Sequence, residues 1–154
     1  MFTGEVCGKA EEAIKFYTSV FADSKIGNIS RYGANQQPDK EGTVAFADFN
    51  LSGEWVAAMD SAQEHNFIFN EAVSFTIDCE SQKEVDYYWE KLTEGGKEVE
   101  CGWLKDKYGV SWQVVPTVLP KLLQNKDKEK AKRAMQAMLK MKKLDIKTLE
   151  EASY

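Results

Sequence analysis

The sequence predicts an α+β fold made of two βαβββ modules followed by a helical tail. The chain repeats itself, because residues 10–21 align with residues 81–92 as one helical segment. A second pair of similar segments, each a strand, a glycine-containing turn and another strand, is centred on Gly53 and Gly109. A duplicated unit of this size cannot cover its apolar face alone, so the two copies are expected to share a surface.

Each copy contains one amphipathic helix. Apolar residues recur with helical spacing in both copies, at Ala10, Ala13, Ile14, Tyr17 and Phe21 and at Val85, Tyr88, Trp89 and Leu92. Ser81 and Glu84 form a capping box that marks the start of the second helix. Gly95 can adopt the left-handed conformation that ends this helix.

The strands follow from runs of β-branched and aromatic residues between turn formers. They are predicted at residues 25–32, 43–51, 54–60, 73–79, 99–104 and 110–115. Residues 33–42 are dense in turn formers and predict a loop. Module one therefore covers about residues 1–60, module two about residues 72–116, and the tail residues 117–154.

Length and composition favour one domain spanning residues 1–154. Of the 154 residues 43% are hydrophobic, enough for one substantial core. The absence of a signal peptide and of any apolar run of about 18 residues predicts a cytoplasmic protein without a membrane partner. Cys7, Cys79 and Cys101 lack CxxC spacing and predict reduced thiols rather than a disulfide framework.

The tail is basic, although the whole chain has a net charge of −5. Residues 121–147 contain 10 Lys or Arg and 3 Asp or Glu, a balance that nucleic acid or an anionic surface would attract. The alternative is an amphipathic helix with solvated lysines, because apolar residues recur at Ala131, Ala134, Met135, Met138 and Leu139. No aromatic residue in this segment offers a stacking platform, so we expect no nucleic-acid partner.

Three segments, residues 10–17, 67–75 and 101–116, resemble the PhnB-like (demethylubiquinone-methyltransferase-like) group of the vicinal oxygen chelate superfamily. This is the fold of glyoxalases, bleomycin-resistance proteins and extradiol dioxygenases, and the most distinctive segment reads CGWLKDKYGVSWQVVP. The resemblance implies curved mixed sheets around a shared cavity, helices outside, and a short first strand. It also implies a homodimer, and the flexible side chains of Met135, Met138, Leu139 and Met141 suit the C-terminal helix to that contact.

Metal-using members of this superfamily hold a divalent ion with His or Glu on the first and last strands of each module. The resemblance assigns these positions to Ala57, Gln113, Ala72 or Ser74, and Met1 or Thr3. None of them is a strong ligand for a transition metal. We therefore expect no metal and no cofactor, and the only histidine, His65, is interpreted as a turn or surface residue.

Other catalytic patterns are missing as well. A Ser-His-Asp or Cys-His arrangement would have to be built around His65, and the chain contains no GxSxG motif. None of the 10 glycines forms a GxG cluster after a strand, where a nucleotide-like cofactor would approach the backbone. Enzymatic activity therefore stays open, and methyltransferase activity is not expected despite the family label.

Strand alternation nonetheless predicts a ligand pocket. The inward faces combine apolar walls with a few polar groups, at Trp55, Ala57, Met59, Ser74, Trp103, Ser111 and Gln113. The favoured hypothesis is a metal-independent protein that binds a small organic molecule. The alternatives are a core that these side chains merely fill, an interaction module built on the basic tail, and a metal-assisted lyase, isomerase or dioxygenase-like enzyme acting on a carbonyl or aromatic substrate.

Overall fold

The computed structural model describes all 154 residues and divides them into two compact units, Met1–Phe69 and Asn70–Tyr154. The α-helices are α1 (Ala10–Val20), α2 (Gln82–Thr93), α3 (Leu119–Leu123), α4 (Lys128–Met138) and α5 (Ile146–Ala152). The strands are β1 (Lys25–Arg31), β2 (Val44–Leu51), β3 (Glu54–Ala58), β4 (Phe75–Cys79), β5 (Lys97–Glu98), β6 (Trp103–Lys105) and β7 (Ser111–Pro116). Two sheets, one of three strands and one of four, confirm the predicted α+β class. None of the helices combines the length and the apolar character needed to cross a membrane.

The first unit is an antiparallel sheet with α1 packed against it. The strand order is β1-β2-β3, and Phe2 adds a single parallel bridge to Asp60. The first strand of this module is therefore short, as predicted. The buried face of α1 consists of Ala10, Ala13, Ile14, Tyr17 and Val20. It matches the predicted apolar face at four positions, but Val20 is an additional buried residue and Phe21 follows the helix as its C-cap.

A buried carboxylate joins α1 to the sheet. Asp60 is 1% exposed, and its Oδ1 accepts hydrogen bonds from the backbone N–H groups of Gly8 at 2.7 Å and Ala10 at 3.1 Å. Its Oδ2 accepts a third from the N–H of Val44 at 3.0 Å. N–H groups at a helix start have no partner within the helix, and the helix dipole favours a negative charge there. One side chain therefore caps α1 and ties it to β2.

An ion pair also connects α1 to β1. Nη1 of Arg31 lies 2.6 Å from Oε2 of Glu11, and Nζ of Lys15 lies 2.9 Å from Oε1 of the same carboxylate. The hydrogen bond from Arg31, followed by that from Lys15, lowers the pKa of Glu11 from 4.5 to about 2. Because the pKa is depressed in the folded state, this stabilisation is present above pH 4.5 and is lost as the pH falls toward about 2.

We expect Glu11→Gln to lower the free energy of unfolding near neutral pH by no more than about 1 kcal/mol, because water and salt reach this pair. Urea titrations at successively lower pH measure the difference from the unsubstituted protein, which should shrink toward zero in acid. Glu12→Gln is the matched control, since Glu12 pairs with Lys9 on the same helix and should change stability less. A difference that stays constant down to the acid limit would contradict this assignment.

The second unit has the predicted βαβββ order of β4, α2, β5, β6 and β7. Its sheet order is β4-β7-β6-β5, with β4 parallel to β7 and the other pairs antiparallel, so the sheet is mixed. The buried residues of α2 are Val85, Trp89 and Leu92. Its predicted boundaries are confirmed, because Oγ of Ser81 accepts from the N–H of Glu84 at 3.3 Å and Gly95 has a φ of 73°.

One predicted strand is wrong. The sequence predicts a single strand over residues 99–104, whereas the structure places a turn at Cys101 and Gly102 between β5 and β6. Both turn residues have positive φ, 59° and 84° respectively, which interrupts an extended strand. A Cβ at Gly102 would lie 2.8 Å from the carbonyl oxygen of Val114, so the close approach of β7 also requires glycine here.

The predicted helical tail is formed by α3, α4 and α5. A buried cluster of Leu119, Leu144 and Leu149 packs with Ala137, Met138 and Met141. The predicted apolar stripe of α4 is divided, because Met135 and Leu139 are 40% and 59% exposed while Ala134 is buried. The face directed at the cluster is therefore rotated from the predicted one, and it leaves two apolar side chains of the stripe in solvent.

Candidate functional site

Strand register collects the predicted polar residues on one face of the second sheet, which we call the open face. Gln113 of β7 pairs with Trp103 of β6 and with Thr76 of β4, and Ser111 pairs with Lys105. Residues paired across neighbouring strands point to the same side of a sheet. Trp103 therefore lies beside Gln113. The opposite face is buried and contains Ile77, Leu104, Trp112 and Val114.

A hydrogen-bonded pair of side chains lies on the open face. Nε2 of Gln113 donates to Oγ of Ser74 at 2.9 Å, and both residues are half-buried. The amide oxygen of Gln113 and the hydroxyl proton of Ser74 have no protein partner. Ser111 differs, because it is buried and its hydroxyl donates to the carbonyl of Asn70 at 3.3 Å. Gln113 and Ser74 can bind a ligand, whereas Ser111 holds the segment that leads into β4.

A charged pair on this face was not among the predicted site residues. Nζ of Lys105 lies 2.5 Å from Oε1 of Glu71, and the hydrogen bond from Lys105 lowers the pKa of that carboxyl group. Alternation from Trp103 places Lys105 on the same face, so the sequence contained the signal for the lysine. Its partner, Glu71, lies in the connection before β4, which has no strand or helix pattern from which its position could be predicted. The charge of Lys105 is therefore engaged within the protein.

Asp106 shapes the hairpin that presents β7. This residue is 3% exposed, and its Oδ1 accepts hydrogen bonds from the N–H groups of Tyr108 at 2.9 Å and Val110 at 3.1 Å. Its Oδ2 accepts from Nε1 of Trp112 at 2.8 Å. One carboxylate thus fixes the turn and the indole of Trp112 on the buried face of β7. Gln113, the next residue, is directed to the open face by this arrangement.

The first sheet exposes an aromatic surface on the face away from α1. Trp55 pairs with Asn50 and is 58% exposed, and Ala57 pairs with Asp48. Nζ of Lys25 lies 5.6 Å from the Trp55 ring centroid, within cation–π range. A Cβ at Gly27 would lie 2.9 Å from the Trp55 ring, so glycine makes room for the indole. Met59, the third residue predicted here, follows β3, and its carbonyl accepts from the N–H of Phe2 at 2.8 Å.

The donor set does not fit the divalent metal that the wider superfamily uses. Ala57 has no donor atom, and Gln113 offers only a neutral amide oxygen, a weak ligand for a transition metal. The hydroxyl of Thr3 donates to the carbonyl of Phe67 at 3.0 Å. His65 bonds through Nε2 to Ser61, and no group of three His, Cys, Asp or Glu residues is assembled anywhere in the structure. Transition metals require several such donors at one point.

Two of the cysteines are poor nucleophiles in their positions. Burial, reinforced by Glu84 and Asp78, raises the pKa of the Cys79 thiol to about 12. Burial, followed by the charges of Asp60 and Asp39, also raises the pKa of Cys7. A thiol reacts as its thiolate, so neither group is activated near neutral pH. The chemistry that the open face offers is hydrogen bonding and ring contact.

A separate cavity of about 220 Å³ lies in the tail of the second unit. Its lining residues are Leu122, Asn125, Lys130, Glu150, Ser153 and Tyr154. None of them belongs to the open face or to the predicted site. Half-exposed and mixed in polarity, this cavity lacks the apolar walls and convergent polar groups of a specific ligand site.

Comparisons with known proteins identify relatives that match about seven tenths of this chain and nine tenths of their own length. Residues 1–115 match the family described as 3-demethylubiquinone-9 3-methyltransferase. A Bacillus cereus PhnB protein, provisionally assigned as 3-demethylubiquinone-9 3-methyltransferase, shares 44% identity over 72% of this chain and 93% of its own, with a TM-score of 0.67. Protein PA1353 of Pseudomonas aeruginosa shares 19% identity over 71% of this chain and 90% of its own, with a TM-score of 0.61, which shows a common fold. No curated protein matches the chain significantly.

Proposed function

Because the chain belongs to the PhnB-like family, which has the glyoxalase and bleomycin-resistance fold, we propose that it is a metal-independent protein that binds a small organic molecule. The ligand is held on the open face of the second sheet. The observation that carries this proposal is the pair of Gln113 and Ser74 beside Trp103. A few placed polar groups next to an aromatic ring are what small-molecule sites use to orient a ligand.

The predicted residues of the first sheet carry a separate part of the proposal. Trp55, Ala57 and Met59 are proposed as contacts for the apolar part of a ligand on that sheet, supported by the exposure of the Trp55 indole. An indole left more than half exposed is an unusually large apolar surface to leave in water. Its role is to be tested separately, with Trp55→Phe.

Binding is favoured over catalysis by the chemistry of the side chains. A metal-assisted enzyme acting on a carbonyl or aromatic substrate would need ligands that Ala57 and Gln113 do not supply. The methyl transfer in the family description would need a cofactor site, and the glycines show no such pattern. We therefore propose no methyltransferase activity for this chain.

Gln113→Leu should abolish or weaken the response to any ligand that raises the melting temperature, because the ligand loses a hydrogen-bond partner of about 1 kcal/mol. A metabolite screen by thermal shift, followed by calorimetric titration of the hits, measures this loss. Gln136→Leu is the matched control, since it makes the same change on the exposed surface of α4. If Gln113→Leu raises stability and leaves every ligand response unchanged, the open face is only a packing surface and the proposal fails.

We propose a cytoplasmic location, which the cysteine pattern supports.

We also propose that the chain forms a homodimer that uses α4. Met135 of α4 and Leu139 at its C-cap are exposed and support the dimer, whereas Met138 packs within its own unit. Light scattering should give twice the chain mass of 17.5 kDa, and Met135→Glu with Leu139→Glu should return it to the monomer value. Ile68→Glu, which makes the same kind of change at an exposed apolar residue outside α4, should leave the dimer intact. A monomer at all concentrations refutes the dimer; a dimer unaffected by the double variant refutes only the role of α4.

A further inference from the structure

We propose that the pair of Gln113 and Ser74 recognises a neutral ring carrying a cis-amide edge, a C=O beside an N–H, as in lactams, imides and pyridones. This inference rests on the proposed function and names the ligand chemistry of the same site. The observation behind this inference is the set of hydrogen-bond donors and acceptors of Gln113 and Ser74 that remain free. When Nε2 of Gln113 donates to Oγ of Ser74, the amide oxygen can still accept and the hydroxyl can still donate.

The same edge results if the side-chain amide is turned over. Oε1 of Gln113 would then accept the hydroxyl proton of Ser74, which leaves the NH₂ group as donor and Oγ of Ser74 as acceptor. In either orientation the pair offers one donor and one acceptor side by side. A cis-amide carries a complementary acceptor and donor on adjacent atoms, so one ligand group can bond to both positions.

The surroundings favour a flat and uncharged ligand. Trp103 pairs with Gln113 across β6 and β7 and supplies an aromatic surface next to the edge. Lys105 is held at 2.5 Å by Glu71, and Lys97, which pairs with Lys105 and shares the open face, lies on the edge strand β5, two strands away from Gln113. Asp78 is exposed on β4 and, by its register with Val115, projects to the same face. An anion bound at Gln113 and Ser74 would therefore lie nearer to the carboxylate of Asp78 on the neighbouring strand β4 than to the unpaired lysine on β5.

Three small probes separate these chemistries. 2-Pyridone carries the full edge, N-methyl-2-pyridone has the same ring without the donor, and benzoate is an anion of similar size. Each is titrated into the full chain while the indole N–H signals and the side-chain amide signals are followed by NMR. We expect 2-pyridone to bind about threefold to tenfold more tightly than its N-methyl form, the range that one hydrogen bond supplies, and benzoate to bind more weakly than either.

Variants show which side chains form hydrogen bonds with the cis-amide of the ligand. Gln113→Leu and Ser74→Ala should each bring the ratio between 2-pyridone and N-methyl-2-pyridone close to one, while Gln136→Leu should leave it unchanged. A ratio that stays the same in Gln113→Leu overturns the inference. Preferred binding of benzoate that still depends on Gln113 overturns the inference but leaves the proposed function standing. If none of the probes and no metabolite in the thermal screen responds to Gln113→Leu, both proposals are wrong.

Discussion

Asp60→Ala should lower the free energy of unfolding by about 3–5 kcal/mol, the largest effect we expect from a single substitution in the first unit. The three backbone N–H groups that Asp60 accepts from lose their partner, and those of Ala10 and Val44 are buried. A buried donor left unpaired costs about 1–3 kcal/mol. The start of α1 also loses the negative charge that its dipole favours.

Asp127→Ala is the matched control for this prediction. Asp127 is the N-cap of α4 and accepts from the N–H groups of Glu129 and Lys130, but it is exposed, so water replaces the lost bonds. Its loss should cost about 1 kcal/mol. Denaturant unfolding of the three proteins measures both values. Equal losses for Asp60→Ala and Asp127→Ala would show that burial of the Asp60 network contributes nothing.

Asp106→Ala should cost about 3 kcal/mol in the second unit, because the indole N–H of Trp112 and two backbone N–H groups lose a charged acceptor. Asp106→Asn is a sharper test. The amide oxygen of Asn can replace Oδ1 and accept from the turn, but its NH₂ group then faces the indole N–H of Trp112, and two donors repel each other. We therefore expect most of the loss to remain. Asp78→Ala, at an exposed aspartate of β4, should change stability by less than about 0.5 kcal/mol.

A double-mutant cycle isolates the bond between Asp106 and the indole. Trp112→Phe removes the N–H donor, so Asp106→Asn should cost less in that background than alone, with a coupling of about 1 kcal/mol or more. Denaturant unfolding of the four proteins gives the coupling. Additive losses would mean that Asp106 acts through the turn alone and that Trp112 orients β7 by packing.

Periodicity predicted the elements whose signals are local. The buried face of α1 and the Ser81 cap of α2 follow from residues within a few positions of each other. The strand over residues 99–104 failed because composition does not reveal that Cys101 takes a left-handed conformation. The stripe of α4 was misjudged because the orientation of a helix is set by a cluster whose members, Leu119 and Leu149, lie in other helices.

The sequence predicted which residues share a face of the second sheet better than it predicted the contacts between them. Alternation alone placed Gln113 and Ser111 on one face, and the register of β6 and β7 adds Trp103. The bond from Gln113 to Ser74 depends on β4 lying beside β7, which no local pattern encodes. For the same reason the roles of Asp60 and Asp106 were not foreseen, because buried carboxylates are recognised only by partners that the fold brings to them.

The parallel pairing of β4 with β7 has a consequence for folding. Ser74 and Gln113 are separated by 39 residues, so the pair forms only when the whole intervening α2, β5 and β6 segment has been closed into a loop. Closing a long loop lowers the conformational entropy of the chain before stabilising contacts have formed, so contacts of high sequence separation form slowly. The hydrogen-bonded pair of Gln113 and Ser74, and with it the proposed ligand site, therefore exists only in chains that have completed the second unit. A ligand that binds Gln113 and Ser74 together would stabilise the folded second unit and shift the equilibrium away from partly unfolded forms.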